Sequence, residues 1–338
     1  MKEYKRISID LAKNVFQVCA FSEKNKIVFN RKVSRNGLLN LLRNIAPTTV
    51  VMEACYSSNY WGRAIQDLGH KVLLIPAYQV KPFVVGNKND ANDAVAIGEA
   101  SWRPKASFVS VKTIAQQDVQ TLLRLREQIQ KVRIMVSNQI HGFLAEYGVF
   151  CKKGHKALVE TLAEALAPES QQLSAVAIDV MHMQMDQYKH LKRQEEEINN
   201  RLVTLCRDNP CYSYLQSIPG IGPIVAATLI ASIGDPSYFK NGRQLSAWIG
   251  LTPLQYASGE KSRMGKISKR GNRNLREMLI HGARSIVNWV AKKNDKLSLW
   301  IKELQKRMNP RKVIVAVANK LARISWAVMS KQVEYVAR

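Results

Sequence analysis

Four acidic residues stand out in a chain that is otherwise strongly basic. Asp10 closes "RISID", Glu53 closes "TVVME", and Asp90 and Asp93 lie three residues apart in "NDANDAVAI". With 51 Lys and Arg against 26 Asp and Glu, carboxylates gathered in one place need a reason. On a helix, positions i and i+3 share a face, and like charges there repel unless a cation lies between them. One reading is local: an N-cap followed by a first-turn acid, both favoured at the positive end of the helix dipole. The other is chemical. Carboxylate oxygens hold Mg²⁺, with Mn²⁺ as its substitute, and two such ions roughly 4 Å apart clamp both sides of a phosphodiester in an in-line displacement. The Asp90–Asp93 spacing alone favours the local reading. Convergence of Asp10 and Glu53 on the same place would favour the chemical one.

The surrounding elements supply that convergence. Residues 5–10, 15–21 and 26–33 read as β-rich strands joined by short polar stretches. Residues 36–46 have helical period and stop at Pro47; 48–53 is a β-branched strand; 59–69 is a helix closed by Gly69. Residues 71–76 form a short apolar strand, and a helix follows that begins with the Asp90–Asp93 pair. The order β-β-β-α-β-α-β-α is that of an α/β, RNase H/RuvC-like domain. In that fold strands one and four are neighbours, and their C-terminal ends meet the start of the last helix. Asp10, Glu53, Asp90 and Asp93 are therefore expected on one sheet edge, as metal ligands and catalytic groups.

The remainder divides in two. Residues 111–209 read as an α-helical coiled-coil middle. The long helix 112–148 carries Leu122, Leu123, Ile129, Val132, Val136, Ile140 and Leu144 on one side, and a second spans 171–207 with Leu173, Val176, Val180 and Met183, and then Leu191, Ile198, Leu202 and Leu205, as its stripe. These are expected to form an antiparallel pair or an oligomerisation arm, with "APESQQ" (167–172) as the turn. Residues 210–338 read as a mostly α, basic domain. The charges support this division: residues 1–110 hold 16 basic and 8 acidic side chains, 111–239 hold 13 of each, and 240–338 hold 22 and 5. A polyanion partner is expected for the last part. No run of 18 apolar residues marks a membrane span, and the N-terminus lacks a signal-peptide core. Cys19, Cys55, Cys151, Cys206 and Cys211 form no zinc pattern and read as reduced thiols of a cytoplasmic protein.

Within the basic part, "YASGEKSRMGKISKRGNRNLR" (256–276) carries Lys261, Arg263, Lys266, Lys269, Arg270, Arg273 and Arg276 against one acid, interleaved with glycines. It reads as a phosphate-contacting loop. "IPGIG" (218–222) lies between two apolar helices and resembles a helix-hairpin-helix turn, with Gly220 and Gly222 able to present backbone N–H groups to a phosphate. A tight helical turn would need the same glycines for sterics. Ser258, followed by Gly259, is by itself a turn residue, and no neighbouring His makes it a Ser-His-Asp nucleophile.

"ISIDLAKNVFQV", "VMEACYSS", "KNDANDA", "SIPGIGPIVAATLIASIGD" and "LSAWIGLTPLQYASGEK" occur in that order along nearly the whole chain. Together with "KRGNRNLR" they resemble the insertion-sequence transposases with a RuvC-like DEDD domain, the family described as bridge-RNA-guided recombinases. After Glu53 the chain reads Ala54-Cys55-Tyr56-Ser57, where the family commonly has small residues and glycine. The resemblance implies a DNA transposase acting with Mg²⁺, and it carries the family's serine nucleophile onto Ser258 rather than Ser246, whose neighbours suggest a packed helix. It further implies double-stranded donor and target DNA, a non-coding guide RNA, and a homodimer or homotetramer in which one protomer's carboxylates meet another's serine. The expected location is the prokaryotic cytoplasm, at the nucleoid. The alternatives are a metal-only junction-resolving nuclease with the same carboxylates, and a non-catalytic nucleic-acid-binding protein.

Overall fold

The computed structural model describes residues 2–86, 89–152, 154–167, 173–259 and 261–337. The chain divides into two compact units, Met1–Gln116 with Gly234–Lys240, and Gln117–Ile233 with Asn241–Arg338.

The first unit contains β1 (Arg6–Asp10), β2 (Val15–Phe21), β3 (Ile27–Ser34), α1 (Gly37–Arg43), β4 (Thr49–Glu53), α2 (Ser58–Gln66), β5 (Lys71–Ile75), α3 (Ala77–Val80) and α4 (Asp90–Ser101). The strands form a five-stranded sheet in the order β3-β2-β1-β4-β5, in which β2 alone is reversed: it is antiparallel to both neighbours, β1 and β3, while β1, β4 and β5 are parallel. This is the mixed α/β arrangement expected of an RNase H-like domain. Alternation decides the layers. Ile7, Ile9, Val50 and Met52 pack with Leu38, Leu42, Trp61 and Ile65 on one face. On the other face Val51 and Ile75 pack with Ala96, Ile97 and Ala100 of α4. A one-residue slip of β1 would exchange Ile7 and Ile9 for Ser8 and Asp10 in the first layer, so the register is fixed by burial.

Gly98 lets α4 lie against the sheet. A Cβ there would come within 2.6 Å of Phe21 Cζ and 3.2 Å of Ser8 Oγ. Two polar contacts hold the start of the helix: Gln17 Nε2 donates to Asn30 Oδ1 at 2.7 Å, and Asn30 Nδ2 donates to the Ala91 carbonyl at 3.0 Å.

The second unit contains α5 (Ile114–Glu146), α6 (His155–Ala165), α7 (Ala175–Cys206), α8 (Pro210–Gln216), α9 (Pro223–Ile233), α10 (Gly242–Trp248), β6 (Pro253–Ser258), β7 (Lys261–Ile267), α11 (Arg273–Trp289), α12 (Lys296–Arg307) and α13 (Pro310–Lys331). Within the chain α5 and α7 pair antiparallel. Arg126 Nε donates to Asn199 Oδ1 at 2.7 Å, and further along Arg133 Nε meets Glu195 Oε2 at 3.0 Å. The expected stripe on α7 is displaced in its first half, whereas Leu191, Ile198 and Leu202 are buried as expected and Leu205 is exposed. The buried face of the helix is Ala177, Met181, Met185, Tyr188, Leu191, Ile198 and Leu202, whereas Val176 and Met183 are exposed. Tyr188 explains the shift: the largest side chain of the helix selects the buried register and also accepts or donates at His155 Nδ1, 3.1 Å away. The turn expected at 167–172 lies outside the described residues from 168 onward.

Helix α13 is long and apolar enough, by length and composition, to cross a membrane, although no unbroken apolar run marks it in the sequence. It packs against α8, α10, α11 and α12, and buries Val313, Val317, Leu321 and Val328. That is the pattern of a core helix.

Candidate functional site

In the parallel β1–β4 pair, Ser8 lies opposite Val51 and Ile9 opposite Met52. Asp10 and Glu53 are the next residues and the last of their strands, so they leave the sheet side by side. Alternation puts them on the face of Ser8 and Val51, which α4 covers: Ser8 Oγ donates to the Ala94 carbonyl, and Val51 packs with Ala96 and Ile97. Helix α4 starts at this edge. Its N-cap is Asn89, whose Oδ1 accepts from the Asn92 N–H at 2.8 Å, so neither Asp90 nor Asp93 is spent on capping.

Asp10, Glu53 and Asp93 are half-buried and Asp90 is exposed. Burial raises the Glu53 carboxyl above the usual carboxylate range, and the charge of Asp93 raises it further. The Cys55 thiol is pushed up to about 11, by burial first and then by the charges of Glu53 and Asp10. Carboxylates from β1, β4 and α4 thus gather at this edge: Asp93 acts on Glu53, and Glu53 and Asp10 both act on the Cys55 thiol. Asp90 does not figure among the charges acting on Glu53 or Cys55. Among the described residues, no three His, Cys, Asp or Glu side chains are drawn together in ligating geometry. The donor set still fits a hard divalent cation: oxygen ligands, clustered like charge, and a burial cost that a cation removes.

Sequence reasoning missed Gln17 and Asn30. Gln17 is the register partner of Asp10 across β1–β2 and is buried, and Asn30 ties the first turn of α4 to β3. The available signal was two amides on facing strands where apolar residues would otherwise alternate.

Ser258 lies in the other unit. The stretch expected as a loop is an antiparallel hairpin: Tyr256 opposes Arg263, Ala257 opposes Ser262 and Ser258 opposes Lys261. Ser258 is exposed at the end of β6, and Gly259 starts the turn. A concavity of about 560 Å³ is lined by Ser258, Tyr256, Gln255, Ser262 and Arg263. Ser246, by contrast, is 1 % exposed on α10, and its Oγ donates to the Arg243 carbonyl at 3.0 Å.

The basic block separates by exposure. Arg263, Lys266, Lys269 and Arg270 are exposed; for Lys261 only the backbone, in β7, is described. Arg273 is exposed and paired with Glu277 at 2.7 Å. Arg276, expected on phosphates, is buried instead: its Nη1 donates to the Ile249 carbonyl at 2.8 Å and the Arg270 carbonyl at 3.1 Å. It anchors the start of α11, because a guanidinium can satisfy two backbone acceptors at once. Gly265 packs near the Tyr256 ring and Gly271 against the Trp248 carbonyl, so these glycines answer to packing within the chain.

In the α8–α9 turn, a Cβ at Gly220 would lie 2.8 Å from the Gly282 carbonyl oxygen of α11. Steric need alone accounts for Gly220. Gly222 has open space around it, and a concavity of about 470 Å³ here is lined by Gly220, Gly222, Ser285 and Lys293.

Matches to known families cover parts of both units. Residues 7–149 match the family model DEDD_Tnp_IS110, described as Transposase, and residues 212–297 match Transposase IS116/IS110/IS902 family. The transposase for insertion sequence element IS1111A of Coxiella burnetii is 41% identical over 338 residues, covering 99% of this chain and 92% of that protein. A probable family 20 transposase of Pseudomonas aeruginosa is 39% identical, covering 98% of each. The pilin gene-inverting protein of Moraxella bovis is 23% identical over 343 residues, covering 96% of this chain and 95% of that one. A DEDD transposase domain implies a divalent metal. The chain belongs to the IS110/IS116/IS902 family of insertion-sequence transposases, enzymes that act on DNA.

Proposed function

We propose that this transposase cuts and rejoins DNA through a covalent Ser258–phosphate intermediate, with Asp10, Glu53, Asp90 and Asp93 holding Mg²⁺, or Mn²⁺ in its place, and a guide RNA of its own element choosing the strands. The observation that carries the reading is the gathering of carboxylates at one sheet edge, with Glu53 in the field of Asp93 and the Cys55 thiol in the fields of Glu53 and Asp10. Phosphates approach such a cluster only when cations reconcile the charges. Bound there, divalent ions supply neutralisation of the phosphate oxygens.

The chain's own residues do the rest. The Ser258 Oγ forms a bond to phosphorus and the phosphorus–oxygen bond to one strand breaks. The serine proton passes to water, and the leaving strand oxygen takes up a proton to become a free hydroxyl. Because the phosphoester is conserved on serine, attack by another strand's hydroxyl rejoins DNA without ATP. Arg263, across the hairpin beside Ser258, is placed to steady the phosphate. Exposed Lys266, Lys269, Arg270 and Arg273, with Lys261, hold the DNA backbone. Gly222 and the α8–α9 turn offer a further phosphate contact. The Moraxella relatives are named pilin gene-inverting proteins, which fits strand exchange between two DNA sites.

The reading includes a homodimer or homotetramer in which the carboxylates of one protomer serve the serine of another. Residues 1–110 form the metal domain, 111–209 the oligomerising helical region and 210–338 the transposase domain. The enzyme works in the bacterial cytoplasm at the nucleoid. The experiment is cleavage of labelled element-end DNA by protein with its co-purifying RNA and Mg²⁺. Loss of cleavage after EDTA, and separately after RNA removal, is expected. Undiminished cleavage in EDTA overturns the carboxylate reading, and undiminished cleavage without RNA overturns guidance.

A further inference from the structure

The second unit holds a cavity of about 1750 Å³ bounded by the β6–β7 hairpin, α10, α12 and α13. Small-molecule sites run to roughly 300–1,000 Å³, so this space suits a longer occupant. The apolar part of its lining, its floor, is formed by Leu251, Ile267, Met308 and Val315 with Trp300 and Trp326. Its rim is cationic: Arg263 and Lys266 from β7, Arg311 and Lys312 from the start of α13, and Arg323 about three turns on. Among the described residues that line it, none is acidic.

We infer that this groove takes an unpaired stretch of nucleic acid, its phosphates on the cationic rim and a base on the tryptophan-lined floor. Charge complementarity sets the class of ligand. The floor sets the strandedness, since a duplex presents phosphates outward and keeps its base faces stacked, whereas an unpaired base can enter an apolar pocket and stack on an indole. Lys320 reinforces the arrangement. Its Nζ lies 4.2 Å from the Trp300 ring centroid, a cation–π contact that orients the indole. Burial, and then the charge of Arg323, lower the Lys320 ammonium below its usual range, so an approaching phosphate relieves a strained set of cations. Arg263 also lines the concavity of Ser258, so an occupant of the groove runs toward the hairpin tip.

The groove is a deepening of the recombinase reading above, and its test is a binding measurement in EDTA, where neither the carboxylates nor Ser258 chemistry enters. The probes are a fluorescent 20-nucleotide oligo(dT), the matching oligo(U), and a duplex of the same length. Arg311→Ala/Lys312→Ala, two exposed positions, is expected to weaken at least one single strand about tenfold and lower its salt slope by about 1.4, at roughly 0.7 per lost phosphate contact. Duplex binding should stay within about twofold, because its contacts lie on the hairpin. The strand that loses more, DNA or RNA, names the occupant. Trp300→Ala is expected to remove the single-strand preference and Trp300→Phe to restore most of it. Equal losses for duplex and single strands, or no loss for either single strand, overturn the inference.

Discussion

The Glu53 carboxyl, at the end of β4, lies in the electrostatic field of Asp93, in the first turn of α4. The two residues are forty positions apart in sequence, and only the sheet topology brings them together. Like charge at partial burial is a cost to the folded chain, and it is the clearest physical sign that this edge is built for a cation.

The cost has a pH signature in metal-free protein. Glu53's folded pKa is raised, so its protonated form is favoured by folding. The contribution to stability is therefore present below the unfolded value of about 4.3 and lost as pH rises through the raised folded value. Asp93→Asn removes part of that field. In EDTA it should melt higher than the parent at pH 7, by less than about 1 kcal/mol because the pair is partly solvated, and the gain should vanish near pH 4. Calorimetric melts at the two pH values check this. The same variant should bind DNA and cleave none.

Asn30 is a positioning residue through its hydrogen bond to the Ala91 carbonyl. Asn30→Ala should cost about 1 kcal/mol in stability and reduce cleavage more than binding. Denaturant melts and single-turnover cleavage separate the two effects. Unchanged cleavage would show that the first turn of α4 is held well enough without it.

Gly98→Val would drive a branched side chain into Phe21. Overpacking of this kind costs about 1–3 kcal/mol. The expected result is a lowered melting temperature together with weakened cleavage, since lifting α4 moves Asp93 away from Glu53. Full activity in a destabilised variant would separate the helix position from the chemistry.

The exposed cations of the basic block and buried Arg276 should part on substitution. Neutralising Lys266, Lys269 and Arg270 should leave stability unchanged and flatten the salt dependence of duplex binding by about 0.9 per lost contact. Arg276→Ala should instead cost about 1–3 kcal/mol by stranding two carbonyls. Melting curves and salt titrations read both.

The sheet, its helices and the carboxylate edge were legible because alternation and helix period are local signals. Asp10 and Glu53 ending their strands followed directly. Four features were not legible. The α7 register depends on Tyr188 and its contact with His155, a tertiary choice that the Val176–Val180–Met183 spacing could not reveal. Arg276 reads as one more cation in a basic run until the fold turns it inward toward Ile249. The hairpin was hidden because Ser, Gly and Lys signal a loop, while cross-strand pairing of Tyr256 with Arg263 has no local trace. The cations of α13 join those of β7 only in space, so counting charge along the chain located the basic part but not its groove.

The central claim is tested most directly by mapping a covalent adduct. Labelled element-end DNA is incubated with the protein, its RNA and Mg²⁺, denatured, digested with protease, and the DNA-linked peptide is sequenced. The account predicts a strand attached to Ser258, absent from Ser258→Ala, while that variant keeps its fold and its DNA binding because the residue is exposed at a hairpin end. Cleavage by Ser258→Ala at the parental rate, or an adduct on another residue, would contradict it and favour a metal-only nuclease.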